Sequence, residues 1–75
     1  MKIHKYERIL GIYQALINGQ IIVKDEMANF YNVDGRTIQR DIEDIRTFLA
    51  DATVFTGYMG IEIIYDRNCG GYRVA

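Results

Sequence analysis

Seventy-five residues carrying ten acidic and nine basic side chains give a net charge of −1. A chain this short is a single domain of residues 1–75 with no depth for a conventional catalytic cleft, and its stability falls on the order of 4–11 kcal/mol. No apolar run approaches the roughly 18 residues of a membrane span, Met1 to Ile12 alternates charge with apolar groups unlike a signal peptide, and one cysteine cannot make an internal disulfide, so the expected compartment is the cytoplasm.

Along the chain, Ile3, Tyr6, Ile9, Leu10, Tyr13, Leu16 and Ile17 recur at three- and four-residue steps, which predicts an amphipathic helix of about four turns. Asn18-Gly19 stops it, because glycine readily takes the left-handed conformation just past a helix end. Gln20 to Val23 is a β-branched run too short for a helix and is expected to form a single edge strand. Asp25 to Tyr31 follows as a second, short helix, with Met27, Ala28 and Tyr31 facing inward and two acids in its first turn. Asn32-Val33-Asp34 then forms a tight inter-helix turn: Asn32 tolerates the left-handed region, Val33 is an apolar plug and Asp34 is a good N-cap.

From about Gly35 a third helix carries Ile38, Ile42, Ile45 and Leu49 on one buried stripe, the steps of four, three and four residues matching about 100° of turn per residue. The opposite face holds Arg36, Arg40, Glu43 and Thr47, with Thr37 and Gln39 on its flanks. Two guanidiniums, a hydroxyl and an amide at a helix start suit phosphates and base edges, and the free N–H groups there favour an anion. Asp51 to Gly60 has no clean period and is expected as an irregular connection. Ile61 to Tyr65 predicts a strand with Ile61, Ile63 and Tyr65 toward the core and Glu62 outward; Asp66 to Gly71 is a turn cluster, and Tyr72 to Val74 returns as the second strand of a β-hairpin. The expected fold class is therefore mainly α with a small β-sheet (α+β): a winged helix-turn-helix of three helices and a C-terminal hairpin wing.

Each candidate residue also has a plainer role open to it. Arg36 and Arg40 suit DNA, or else belong to a solvated face with Arg40 paired to Asp44 one turn on. Arg67 at the wing tip fits a phosphate or the minor groove, and equally a solvated charge. Asp41 sits off that face beside the core, positioned to hold an arginine or a backbone donor from a neighbouring helix, and Arg73 is placed to pair across the hairpin with Glu62. Tyr6, Tyr13, Tyr31, Tyr65 and Tyr72 fall at core-facing positions, with their hydroxyls at the surface. His4 has no companion at ligand spacing, so no metal or other cofactor is expected, and Cys69 sits among turn glycines as an incidental thiol. With no serine, one histidine, one cysteine and no glycine-rich loop between a strand and a helix, an enzyme is not expected.

The runs RTIQRDI (Arg36–Ile42), MANFYNVD (Met27–Asp34) and YDRNCGGYRV (Tyr65–Val74) resemble the N-terminal winged helix-turn-helix of bacterial transcription regulators. They are most like those carrying a downstream WYL sensor domain, related to DeoR-type repressors and to the biotin-repressor domain. The resemblance runs from about Tyr6 to Val74, and it implies that the chain is the N-terminal part of a longer regulator. It further implies sequence-specific binding of double-stranded DNA, with Arg36, Thr37, Gln39 and Arg40 at the major groove and Arg67 on the wing. One copy reads too few base pairs to be selective, so a homodimer is expected, through a following part of the protein or through Phe55, Tyr58 and Met59. Asp34 and Gly35 stand where the pattern more often has serine and a basic or polar residue, and an acid beside DNA lowers nonspecific affinity. A protein-interaction module, or the regulatory domain of a larger enzyme, is the competing expectation.

Overall fold

In the computed structural model the residues described are 4–56 and 62–75, with side chains described through Asp51 and again from Glu62. Among them three helices, α1 (Lys5–Ile17), α2 (Lys24–Tyr31) and α3 (Gly35–Thr56), precede a two-stranded antiparallel sheet of β1 (Ile63–Asp66) and β2 (Gly71–Val74). This is the small α+β, winged-helix-like layout expected from the sequence. No described helix is long and apolar enough to cross a membrane.

The two shorter helices end in the same way. Gly19 (φ +83°) follows α1, its N–H reaching the Leu16 carbonyl and that of Gln20 the Ala15 carbonyl, both at 3.0 Å. Asn32 (φ 56°) follows α2, its N–H reaching Asn29 at 3.3 Å and that of Val33 reaching Ala28 at 2.9 Å. Both are Schellman ends, which satisfy carbonyls the helix leaves open and turn the chain sharply. The second sets the angle between α2 and α3.

The core joins Ile12 and Leu16 of α1, Ile22, Ala28 of α2, Ile38, Ile42, Ile45 and Leu49 of α3, and Ile63 of β1. The α3 stripe is buried as predicted. On α1 the outcome differs: Ile12 and Leu16 are buried while Tyr6, Leu10 and Ile17 are exposed. At 100° per residue, Ile9, Ile12 and Leu16 form one apolar stripe, which enters the core, and Tyr6, Leu10, Tyr13 and Ile17 a second beside it, of which only Tyr13 packs against the core. Ile3 lies outside the described residues.

Three further expectations are corrected. Gln20 to Val23 is not a strand; Ile22 alone forms a bridge, exchanging two backbone hydrogen bonds of 2.8 Å with Tyr72. The turn at Gly19 and the start of α2 at Lys24 leave no length for more. α3 continues through the expected irregular region to Thr56, because no glycine or proline interrupts it after Gly35. Tyr65, on the same face as Ile63, is exposed: it lines an open cleft with Lys24 and Asp25 at the start of α2 and packs edge-on against Tyr72, its register partner, at 5.2 Å.

Candidate nucleic-acid interface

The first two turns of α3 are held rigidly. Asp34 Oδ1 accepts the Thr37 N–H at 2.8 Å and the Thr37 hydroxyl at 2.9 Å, which makes it the N-cap. Those bonds, reinforced by the nearby charges of Arg36 and Arg40, hold the Asp34 carboxyl below its ordinary pKa of 3.8. Its folded pKa is depressed, so its capping contribution is present above 3.8 and is lost as the pH falls through the folded value. At neutral pH a fixed negative charge therefore stands at the start of the helix. Thr37 lies on the flank as expected, but its hydroxyl proton is directed to Asp34, leaving oxygen lone pairs to face outward.

Arg36 and Arg40 project from the exposed face and have no hydrogen-bond or ion-pair partner among the described residues. The alternative pairing of Arg40 with Asp44 does not form. Gln39, half-buried on the other flank, is engaged at both ends of its amide: Nε2 donates to Glu43 at 3.5 Å, and Oε1 accepts the Tyr72 hydroxyl at 3.1 Å. The carboxylate can only accept, so it fixes which end of the amide meets the tyrosine.

That tyrosine ties the wing to the helix. Arg46, seven residues after Gln39 and so on the same side of α3, donates to the Ile63 carbonyl at 3.1 Å and lies over the Tyr72 ring at 5.7 Å. Within the wing, Asp66 Oδ1 accepts the N–H groups of Asn68 (2.9 Å) and Cys69 (3.4 Å), and Gly70 takes φ +71° to close the turn. Arg73 pairs with Asp66 at 2.7 Å, not with Glu62 as expected. Both acids lie two residues from Ile64, the register partner of Arg73, but Asp66 is already oriented by the turn. Arg73 and the two turn N–H groups lower the Asp66 pKa. Arg67 is left exposed at the tip, with no partner among the described residues.

Behind the helix, Asp41 holds an arginine as the sequence suggested: Arg8 of α1 binds it through two nitrogens, the Nη2–Oδ1 distance being 3.1 Å. Hydrogen bonding to Asp41 pushes the Arg8 pKa further up. Two lysines not singled out in the sequence also border this end of α3. Lys5 lines a cleft of about 270 Å³ shared with Thr37 and Arg40. Lys24 lays its aliphatic stem against Gly35, 3.5 Å from where a Cβ would sit. Both lysines sit at helix starts, where their spacing gave no hint of a shared surface.

Replacing Asp34 by asparagine keeps an N-cap of equal quality while removing the charge. We expect Asp34→Asn to leave thermal stability at neutral pH within about 0.5 kcal/mol and to tighten binding to a random-sequence duplex several-fold at low salt. Unchanged affinity in fluorescence anisotropy would place Asp34 away from the nucleic acid. No family model, curated protein or solved structure matches the chain, which leaves this face's own geometry and charge to speak for its function.

Proposed function

We propose that this chain is the sequence-specific DNA-binding domain of a bacterial transcription regulator, with the first turns of α3 in the major groove of double-stranded DNA and the wing on the adjacent backbone. The supporting observation is how its six arginines are divided. Arg8, Arg46 and Arg73 are taken up internally, holding α1 to α3, α3 to the wing, and the wing to itself. Arg36, Arg40 and Arg67 have no internal partner among the described residues, and they occupy the exposed start of α3 and the tip of the wing tied beside it through Tyr72 and Gln39.

In this role Arg36 and Arg40 meet guanine edges or phosphates, a good bidentate guanine contact discriminating by about 1–3 kcal/mol. Gln39, its Oε1 already committed to Tyr72, has an N–H of its amide left to offer a base acceptor. Arg67 contacts backbone phosphate, and Lys5 and Lys24 add positive charge at the rim. The net charge of −1 then limits nonspecific affinity without opposing the local field of the face.

Fluorescence anisotropy on a random-sequence duplex, at low and at physiological salt, tests the proposal. Binding is expected to weaken steeply with salt, and Arg36→Ala with Arg40→Ala is expected to cost about tenfold or more in affinity and to lower the log–log salt slope by about 1.8, at roughly 0.9 per phosphate contact. A folded protein that does not bind at low salt, or a double variant that binds like the parent, would overturn it in favour of an interaction module.

A further inference from the structure

α1 presents two apolar stripes: Ile12 and Leu16 of the first are buried in the core, whereas of the second only Tyr13 packs against it. The second, Tyr6, Leu10, Tyr13 and Ile17, advances in steps of four, three and four residues, close to the helical period of 3.6, so its members share one side of the helix. Tyr6 is 69% exposed, Leu10 63% and Ile17 42%. Phe48 of α3, itself 59% exposed, extends the stripe sideways and meets the half-buried Tyr13 edge-on at 6.2 Å. Between the two helices lies a cleft of about 320 Å³ lined by Ile9, Leu10, Tyr13, Asp44, Ile45 and Phe48. It is large enough to admit a leucine or tyrosine side chain.

We propose that this face docks a second copy of the chain. Steps of four, three and four read the same in both directions, so a two-fold axis at the middle of the stripe sets Tyr6 opposite the partner's Ile17 and Leu10 opposite the partner's Tyr13, as an isologous pair of antiparallel helices allows. The area agrees. With aromatic side chains contributing about 150–250 Å² each, the four exposed residues leave roughly 400–500 Å² of apolar surface per protomer. Homodimer interfaces are about 65% apolar, so covering this surface on two protomers corresponds to roughly 1,200–1,500 Å² in total, within the standard range. The cleft between α1 and α3 receives a side chain from the partner's stripe, and Glu7, Gln14 and Asp44 form the polar rim. A membrane surface is a poor occupant, because the rim carries acids.

Phe55, Tyr58 and Met59, expected from the sequence as possible dimer contacts, lie outside the described side chains. The α1 interface uses neither Arg36 nor Arg40, although its rim residue Asp44 also lines the neighbouring cleft that holds Arg40.

Sedimentation equilibrium of the 75-residue chain tests it. The weight-average mass is expected to rise from 8.7 kDa toward twice that value over about 10 µM to 1 mM, as a modest interface of standard size predicts. Leu10→Glu and Phe48→Glu, checked for native helicity by circular dichroism, are each expected to weaken association at least about tenfold. Phe30→Glu, at a site on α2 that is 70% exposed but off this face, is expected to associate like the parent. A parent protein that stays monomeric to about 1 mM would overturn the proposal. So would a Leu10→Glu variant that still pairs, or loss of pairing in Phe30→Glu.

Discussion

Asp41→Ala is expected to remove about 3–5 kcal/mol of stability, because it leaves the Arg8 guanidinium without its counter-charge in a nearly dry site. The two side chains are only 11% and 2% exposed. For a domain whose whole stability is on the order of 4–11 kcal/mol, the variant approaches its unfolding limit at room temperature. The ion pair is not an efficient source of stability in itself, since separate desolvation costs oppose the attraction. Replacing both partners by apolar groups of similar size, Arg8→Met with Asp41→Leu, is therefore expected to recover most of the loss. Urea unfolding followed by circular dichroism measures both. A loss below about 1 kcal/mol for Asp41→Ala would mean that the pair does not hold α1 to α3.

Gly71→Ala carries the second largest effect, about 2–3 kcal/mol, and it is directed at the wing. A Cβ at residue 71 would lie 2.7 Å from the Ile22 carbonyl oxygen and 2.8 Å from Ile21 Cγ2. The first of these is backbone and cannot swing aside, and Ile22 is the residue that bonds Tyr72 on both sides. Relief of the clash separates Ile22 from β2 and loosens the Tyr72 hydroxyl from Gln39, so the wing and α3 lose their fixed relation. Gly70→Ala offers the contrast: nothing lies within 4 Å of a Cβ there, and the cost is that of the φ of +71° alone, about 1 kcal/mol. Thermal melts together with amide chemical shifts of residues 63–74 separate the two cases. Native shifts and an unchanged melt for Gly71→Ala would show that the wing does not depend on this close approach.

These positions also mark what the sequence could and could not reveal. Where local rules suffice, the structure was legible: the left-handed Asn32, the Asp34 cap and the four-residue stripe on α3 each follow from a residue's own chemistry and the helical period. Even the need of Asp41 for an arginine or a backbone donor from a neighbouring helix was readable from its place beside the core. Its partner was not, because Arg8 lies 33 residues away and periodicity says nothing about which helices meet. The same limit explains α1, where two apolar stripes satisfy one helical pattern and only packing decides which is buried. The length of α3 was missed for a different reason. The residues after Asp51 lose their apolar period, but the helix propagates on backbone hydrogen bonds as far as Thr56. At the face itself, the exposure of Arg36 and Arg40 was legible, whereas the capture of Thr37 by Asp34 and of Gln39 by Tyr72 arises from geometry that spacing alone does not contain.

The most direct test of the central claim is to map the nucleic acid onto the protein. Titration of ¹⁵N-labelled chain with a short random-sequence duplex, followed by amide chemical shifts, is expected to perturb residues 35–40 and 66–71 together, with the Arg36 and Arg40 side-chain signals moving as well. The exposed stripe of α1 and the second turn of α2 are expected to stay unmoved. Perturbation of the α1 stripe with α3 and the wing unchanged, or no perturbation at low salt, would contradict the assignment of α3 as the DNA-reading helix.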